Sequence, residues 1–308
     1  MRNTMWKRRN EIAMQVAAVC ALCLLVTVSA RAQEEAPKHD GGVSIEADPA
    51  AGVLEAGFRQ LYELNFHGAR EQFLSYQKLK PADPLGKAAE AASYLYEEFN
   101  AKGVFTSEFF LNDNKLLSGV DGKPSENRND QFLQTNHEAR EMAKQWLQSR
   151  PNDPHGLLVL TLTDGMESDY LGIIEKKQLA SLGLMRQAER EANTLLAIDP
   201  DAQDAYVALG ASNYIIGCMP SFKRAFLWFG GVHGDRMRGM QQMQMAADHG
   251  HYLQPFAKIL LALACEREHQ MDRARKLLTD LAAEFPANPL YAHEIELLNQ
   301  RVARVAAS

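Results

Sequence analysis

The sequence predicts an all-α protein, and three observations carry that reading. A proline-bounded figure stops and restarts the chain repeatedly; apolar residues between these figures return at helical spacing; and no useful length of chain alternates apolar with polar residues as a half-buried strand does. The figure reads Pro81-Ala82-Asp83-Pro84, Pro151-Asn152-Asp153-Pro154 and Pro286-Ala287-Asn288-Pro289, with a shorter form at Asp199-Pro200-Asp201. Its first proline has no N–H to give and its ring collides with the preceding turn, so a helix ends there. Asp83, Asp153 and Asn288 suit N-caps, and Pro84, Pro154 and Pro289 suit the first helical position, where a missing donor costs nothing.

Taken from the start, residues 1–32 read as a signal peptide. Arg2, Lys7, Arg8 and Arg9 precede an apolar run from Ile12 to Val28, and Ala30-Arg31-Ala32 supplies the small-x-small pattern that signal peptidase cuts, leaving Gln33 first. The alternative is a retained anchor, for which the run is short beside the roughly 20 residues a spanning helix needs. The expectation is an exported protein, periplasmic or secreted, meeting the membrane only through this segment if it is uncleaved. Residues 33–49, rich in Glu, Lys, Asp and Gly, read as a flexible lead-in, and residues 50–308 as one helical domain. Cys20 and Cys23 have redox-motif spacing but fall inside the apolar segment; Cys218 and Cys265 remain, as a disulfide or as two free thiols. Without residues 1–32 the chain has 28 Lys+Arg against 38 Asp+Glu, a net charge of −10 that argues against nucleic acid and anionic lipid as main partners.

Within the domain, Phe58, Leu61, Tyr62 and Phe66 mark a first helix, and Phe73, Tyr76 and Leu79 its partner. Near the end, Ile259, Leu260, Leu263 and Ala264 face Ala274, Leu277, Leu278 and Leu281, and Ile295, Leu297 and Leu298 mark a closing helix over 290–305. Twelve residues before each helix-ending proline stands an alanine: Ala69, Ala139, Ala188 and Ala274. Twelve further back, Gly57 and Ala262 stand in the first and last units. Small residues at these points let paired helices approach closely.

These residues give the chain its resemblance to the tetratricopeptide repeat (TPR) family. Gly57, Ala69, Phe73 and Pro81 carry it in the first unit, Ala139 and Pro151 in the second, and Ala188 and Pro200, followed by Tyr206, Leu209 and Gly210, in the third. Ala262, Ala274 and Pro286 carry it in the last, with Gly239, Met243 and Ala246 as a weaker fifth unit. The stretch from Asp204 to Met243 is also similar to a bacterial TPR-like group. The resemblance implies a right-handed α-solenoid of about four to five hairpins, each sheltering its neighbour, with two insertions and a C-terminal capping helix. The closing prolines lie 70, 49 and 86 residues apart, and insertions account for the uneven spacing.

By that resemblance, extended peptides or helices bind in the concave groove lined by the first helix of each unit. Projected onto this chain, the groove includes Leu54, Phe58, Leu61, Leu95, Val207, Tyr214, Phe256, Ile259 and Leu263, a face too apolar to stay open to water. Residues 101–130 and 215–234 are placed to cover it, with Phe105, Phe109, Phe110, Phe226 and Trp228 either completing the core or forming a lid.

Met237, Met240, Met243 and Met245, with Cys218, His233, His249 and His251 nearby in sequence, have the soft ligands of a copper site, but a spacing of three also describes a core stripe; no metal is assigned. For catalysis, His137-Glu138-Ala139-Arg140-Glu141 lacks the second histidine of a zinc-protease helix. The stretch from Gly230 to Arg236 lacks the Lys-Ser/Thr of a phosphate loop. No catalytic residue and no cofactor are expected. The leading expectation is a non-catalytic scaffold or adaptor that binds a protein partner through its helical-repeat surface. The alternative is a carrier that holds an apolar small molecule or lipid in the groove, which an accessible cavity would favour.

Overall fold

The computed structural model describes residues 48–221, 224 and 233–306, and among them the regular elements are all helical. The expected signal peptide, nearly all of the lead-in, and Phe226 and Trp228 lie outside the described residues. Residues 47–308 form one compact unit.

The chain runs through α1 (Pro49–Tyr62), α2 (Phe66–Leu79) and α3 (Pro84–Ala101), then two short helices, α4 (Ser107–Phe110) and α5 (Asp113–Ser118). The long α6 (Glu126–Ser149) and α7 (Pro154–Asp169) follow, α7 running into a π-helical turn at Tyr170–Ile174. Next come α8 (Gln178–Ile198), a 3₁₀ turn at Gln203–Ala205 and α9 (Tyr206–Cys218). α10 (Arg236–His249), α11 (Gln254–Arg267), α12 (Met271–Glu284) and α13 (Pro289–Ala306) complete the fold. Apart from the short α4 and α5, each helix packs on the next in chain order, with α3 reaching α6 across them.

The restart figures work as their chemistry requires. Asp83 accepts from the Leu85 N–H at 2.8 Å, Asp153 from Gly156 at 3.1 Å and Asn288 from Leu290 at 2.9 Å, each opening a helix whose first residue is proline. Asp48 ahead of Pro49 does the same for α1. The shorter figure differs. α8 ends at Ile198, but α9 starts only at Tyr206, behind Ala205, which has no side-chain oxygen to cap with, and Asp204 just before it is engaged elsewhere. Its carboxylate accepts from the N–H groups of His251, Tyr252 and Leu253 at 2.8, 2.9 and 3.1 Å, fixing the start of α11.

Ala69, Ala139, Ala188 and Ala274 are all buried between helices. α9 crosses α10 closely: a Cβ on Gly239 would lie 2.6 Å from the Tyr214 nitrogen and one on Gly210 2.8 Å from the Met243 nitrogen. Met240 and Met243 are buried while Met237 and Met245 point outward, so the methionines divide between two faces of α10. Cys218 and Cys265 are free thiols. No helix among the described residues is long and apolar enough to cross a membrane.

The first and last helices meet. Tyr62 of α1 donates to the Tyr252 carbonyl at 2.8 Å, and its own carbonyl accepts from Asn288 Nδ2 at 2.9 Å. Arg59 reaches the Glu284 carbonyl at 3.1 Å, and the rings of Tyr62 and Phe285 lie 5.6 Å apart. The helices therefore surround an interior.

Candidate functional site

That interior holds a cavity of about 640 Å³, walled by side chains from α1, α3, α4, α5, α7, α8, α9, α10 and α11. Of the groove residues projected from sequence, Phe58, Leu95, Val207, Tyr214, Phe256 and Leu263 line it. Leu61 and Ile259 instead border a small separate hollow with Tyr62 and Tyr291, and Leu54 is buried in the core away from both.

The first insertion is built into this wall. Phe105, Phe109 and Phe110 are buried and line the cavity, Phe105 sitting 5.1 Å from Tyr96 and 6.4 Å from Phe256. Polar links fasten the segment from outside. The Ser107 N–H donates to buried Glu294 of α13 at 3.2 Å, Arg267 Nη1 donates to the Phe110 carbonyl at 2.9 Å, and Arg301 bonds both Glu266 and the Ser107 hydroxyl. Burial pushes the Glu266 carboxyl up to about 7 in spite of Arg301. α6 begins at Glu126, so the last residues of this first insertion are already helical.

The far wall comes from α7. Thr161, Leu162, Gly165, Met166 and Asp169 face the cavity at helical spacing, and the π-helical turn then brings in Gly172 and Ile173. That turn is held from two sides. The Val120 N–H donates to the Ile173 carbonyl at 2.9 Å, and Gly119, at a φ of +82° that glycine tolerates, lies directly against Ile173 and Gly172. At the start of α8, Leu179 is 84% exposed yet still lines the cavity beside Leu182 and Met185, so the wall runs out to solvent there.

The electrostatics are simple. No Lys, Arg or His lines the cavity among the described residues. Asp204 is spent on the α11 amides, Ser168 donates to the Ser181 carbonyl at 2.9 Å, Gln178 donates to the Gly172 carbonyl at 2.9 Å, and Thr161 donates to the Leu157 carbonyl at 2.9 Å. The Asp169 carboxyl and the Tyr96 hydroxyl have no hydrogen-bond partner among the described residues. Burial alone pushes Asp169 up to about 7, and burial together with the Asp169 charge raises the Tyr96 phenol well above its usual range. Sequence reasoning missed Asp169. The available signal was its place on the otherwise apolar α7 stripe of Leu162, Gly165 and Met166.

A second polar cluster lies between α6, α7 and α8. Arg140 pairs with fully buried Asp164 and, at 2.8 Å, with Glu167, while Glu191 is pushed up to about 7, first by burial and then by Asp164. It cross-links three helices and does not face the cavity.

No family model matches the chain, and no curated protein is similar to it.

Proposed function

We propose that this chain is an exported, non-catalytic, TPR-like helical-repeat protein that carries an apolar small molecule or lipid in its central cavity. The observation that carries the proposal is the cavity itself. Its volume of about 640 Å³ lies within the range of about 300–1,000 Å³ usual for small-molecule sites, and its wall is almost wholly apolar. Six of the nine groove residues that a scaffold would offer to a protein, Phe58, Leu95, Val207, Tyr214, Phe256 and Leu263, line this interior instead, which puts the carrier ahead of the adaptor.

The repeat reading draws support from the neighbour-to-neighbour packing, the buried alanines at Ala69, Ala139, Ala188 and Ala274, and the proline-and-cap restarts.

The test is binding of Nile red, a neutral dye whose emission reports an apolar site, to the full chain. Saturable binding at one dye per chain is expected. Gly165 lines the cavity, and a Cβ at that position would meet nothing within 4 Å, so Gly165→Leu is the substitution chosen to fill the space. That variant is expected to stay folded by circular dichroism and to lose the dye. No saturable binding at micromolar dye, or full binding by a folded Gly165→Leu, refutes the carrier.

A further inference from the structure

Among the described residues, the cavity wall carries one acidic group, Asp169, without a hydrogen-bond partner. Asp169 ends α7, immediately before the π-helical turn that Gly119 and Val120 hold in place, so its backbone is fixed by contacts from another segment. Its side chain is half-buried and lines the cavity. The other polar groups on the wall are committed: Asp204 to three amides, Ser168 to the Ser181 carbonyl, Gln178 to the Gly172 carbonyl, Ser212 to Glu189. Tyr96, whose hydroxyl is also unpaired among the described residues, is close enough to feel a charge on Asp169.

A carboxyl turned into an apolar space without a partner carries a desolvation cost, and a ligand group that bonds it recovers that cost. Burial favours the protonated form of Asp169, with no cation near to oppose it. The absence of Lys, Arg and His from the described lining means that a carboxylate or a phosphate entering the cavity would find no cation to pair with.

Resting on the carrier reading, we propose that Asp169 is the polar anchor of the cavity and that the ligand is an apolar molecule with a hydrogen-bond-donating head, an alcohol or an amine, in preference to a fatty acid or a phospholipid. The Asp169 oxygens accept from the head, and the tail lies along Leu95, Phe105, Phe256 and Leu263.

The experiment is displacement of Nile red from the full chain by decan-1-ol, decylamine and decanoate, which share one tail length and differ in the head. Decanol or decylamine is expected to displace the dye at concentrations at least tenfold below decanoate; whichever of the two is the tighter identifies the head. Asp169→Leu is expected to lose that preference while still binding dye. Asp169→Asn, which keeps an accepting oxygen without charge, is expected to retain decanol and to weaken decylamine at least tenfold. Decanoate binding as tightly as the other two, or an unchanged preference in a dye-binding Asp169→Leu, overturns the anchor and leaves the carrier intact. Failure of the dye itself to bind wild type overturns both.

Discussion

Asn288 and Tyr62 are 226 residues apart in sequence and are joined by a 2.9 Å hydrogen bond, the Asn288 side-chain amide donating to the Tyr62 carbonyl. The same side chain accepts from the Leu290 N–H, so one buried residue both opens α13 and ties it to α1. Asn288→Ala removes the cap and leaves a buried carbonyl unbonded, an expected loss of about 2–4 kcal/mol from the two effects together. Urea unfolding checks this, and a loss no larger than that of an ordinary exposed cap means the tether contributes nothing.

The α9–α10 crossing depends on backbone proximity. A methyl at Gly239 would meet the Tyr214 nitrogen at 2.6 Å, and main chain yields less readily than a flexible side chain. Gly239→Ala is therefore expected to destabilise by about 1–3 kcal/mol, as overpacking does. Gly183 in α8 is exposed and has open space around it, so Gly183→Ala is expected to stabilise by roughly 0.5–1 kcal/mol through helix propensity. Thermal melts of both variants that move in the same direction contradict the crossing.

Arg140 stands between carboxylates that burial already disfavours. Removing it in Arg140→Met leaves Asp164, raised chiefly by burial, without its cation, at an expected cost of about 3–5 kcal/mol near neutral pH. The deficit is expected to shrink as pH falls, because a protonated Asp164 no longer needs the guanidinium. Denaturation at two pH values measures it; a deficit that grows on acidification sinks the account.

Asp169 gives a pH dependence with a definite sign. Its folded-state value of about 7 lies above the ordinary 3.8, so between these the folded chain holds a proton that the unfolded chain has released. Stability from this group is present in acid and declines as pH rises through that window, then levels off. Asp169→Asn lacks the titration. It is expected to match wild type near pH 4 and to exceed it near pH 8 by up to about 4 kcal/mol, an upper bound since the side chain keeps some contact with the cavity. An equal difference at both pH values contradicts a buried, unpartnered carboxyl.

Much of this architecture was legible in the sequence because prolines and caps act locally. Pro84, Pro154 and Pro289 each open a helix, as their neighbours Asp83, Asp153 and Asn288 require. Phe105, Phe109 and Phe110 were recognisable as residues needing cover, although sequence alone left open whether they complete the core or close over a ligand. The joining of α1 to α13 was not legible, since Tyr62 and Asn288 carry no mark of each other. Leu61 and Ile259 were assigned to the same face as Phe58 and Phe256, yet they border a different hollow; helical spacing fixes a stripe only to within a residue or so. Asp169 escaped notice because an acid on an apolar stripe reads as an interruption until the opposite wall is known.

The bond between Tyr62 and Asn288 also bears on how the molecule assembles. A stack in which each unit touches only its neighbours can lose a terminal unit and keep the rest. Here the residue that opens the last helix also holds the end of the first, so that end is not tied down until nearly the whole chain has been made. Such sequence-distant contacts slow folding and make it all-or-none. A product truncated before Asn288 is expected to fall apart as a whole rather than to persist as a shortened array.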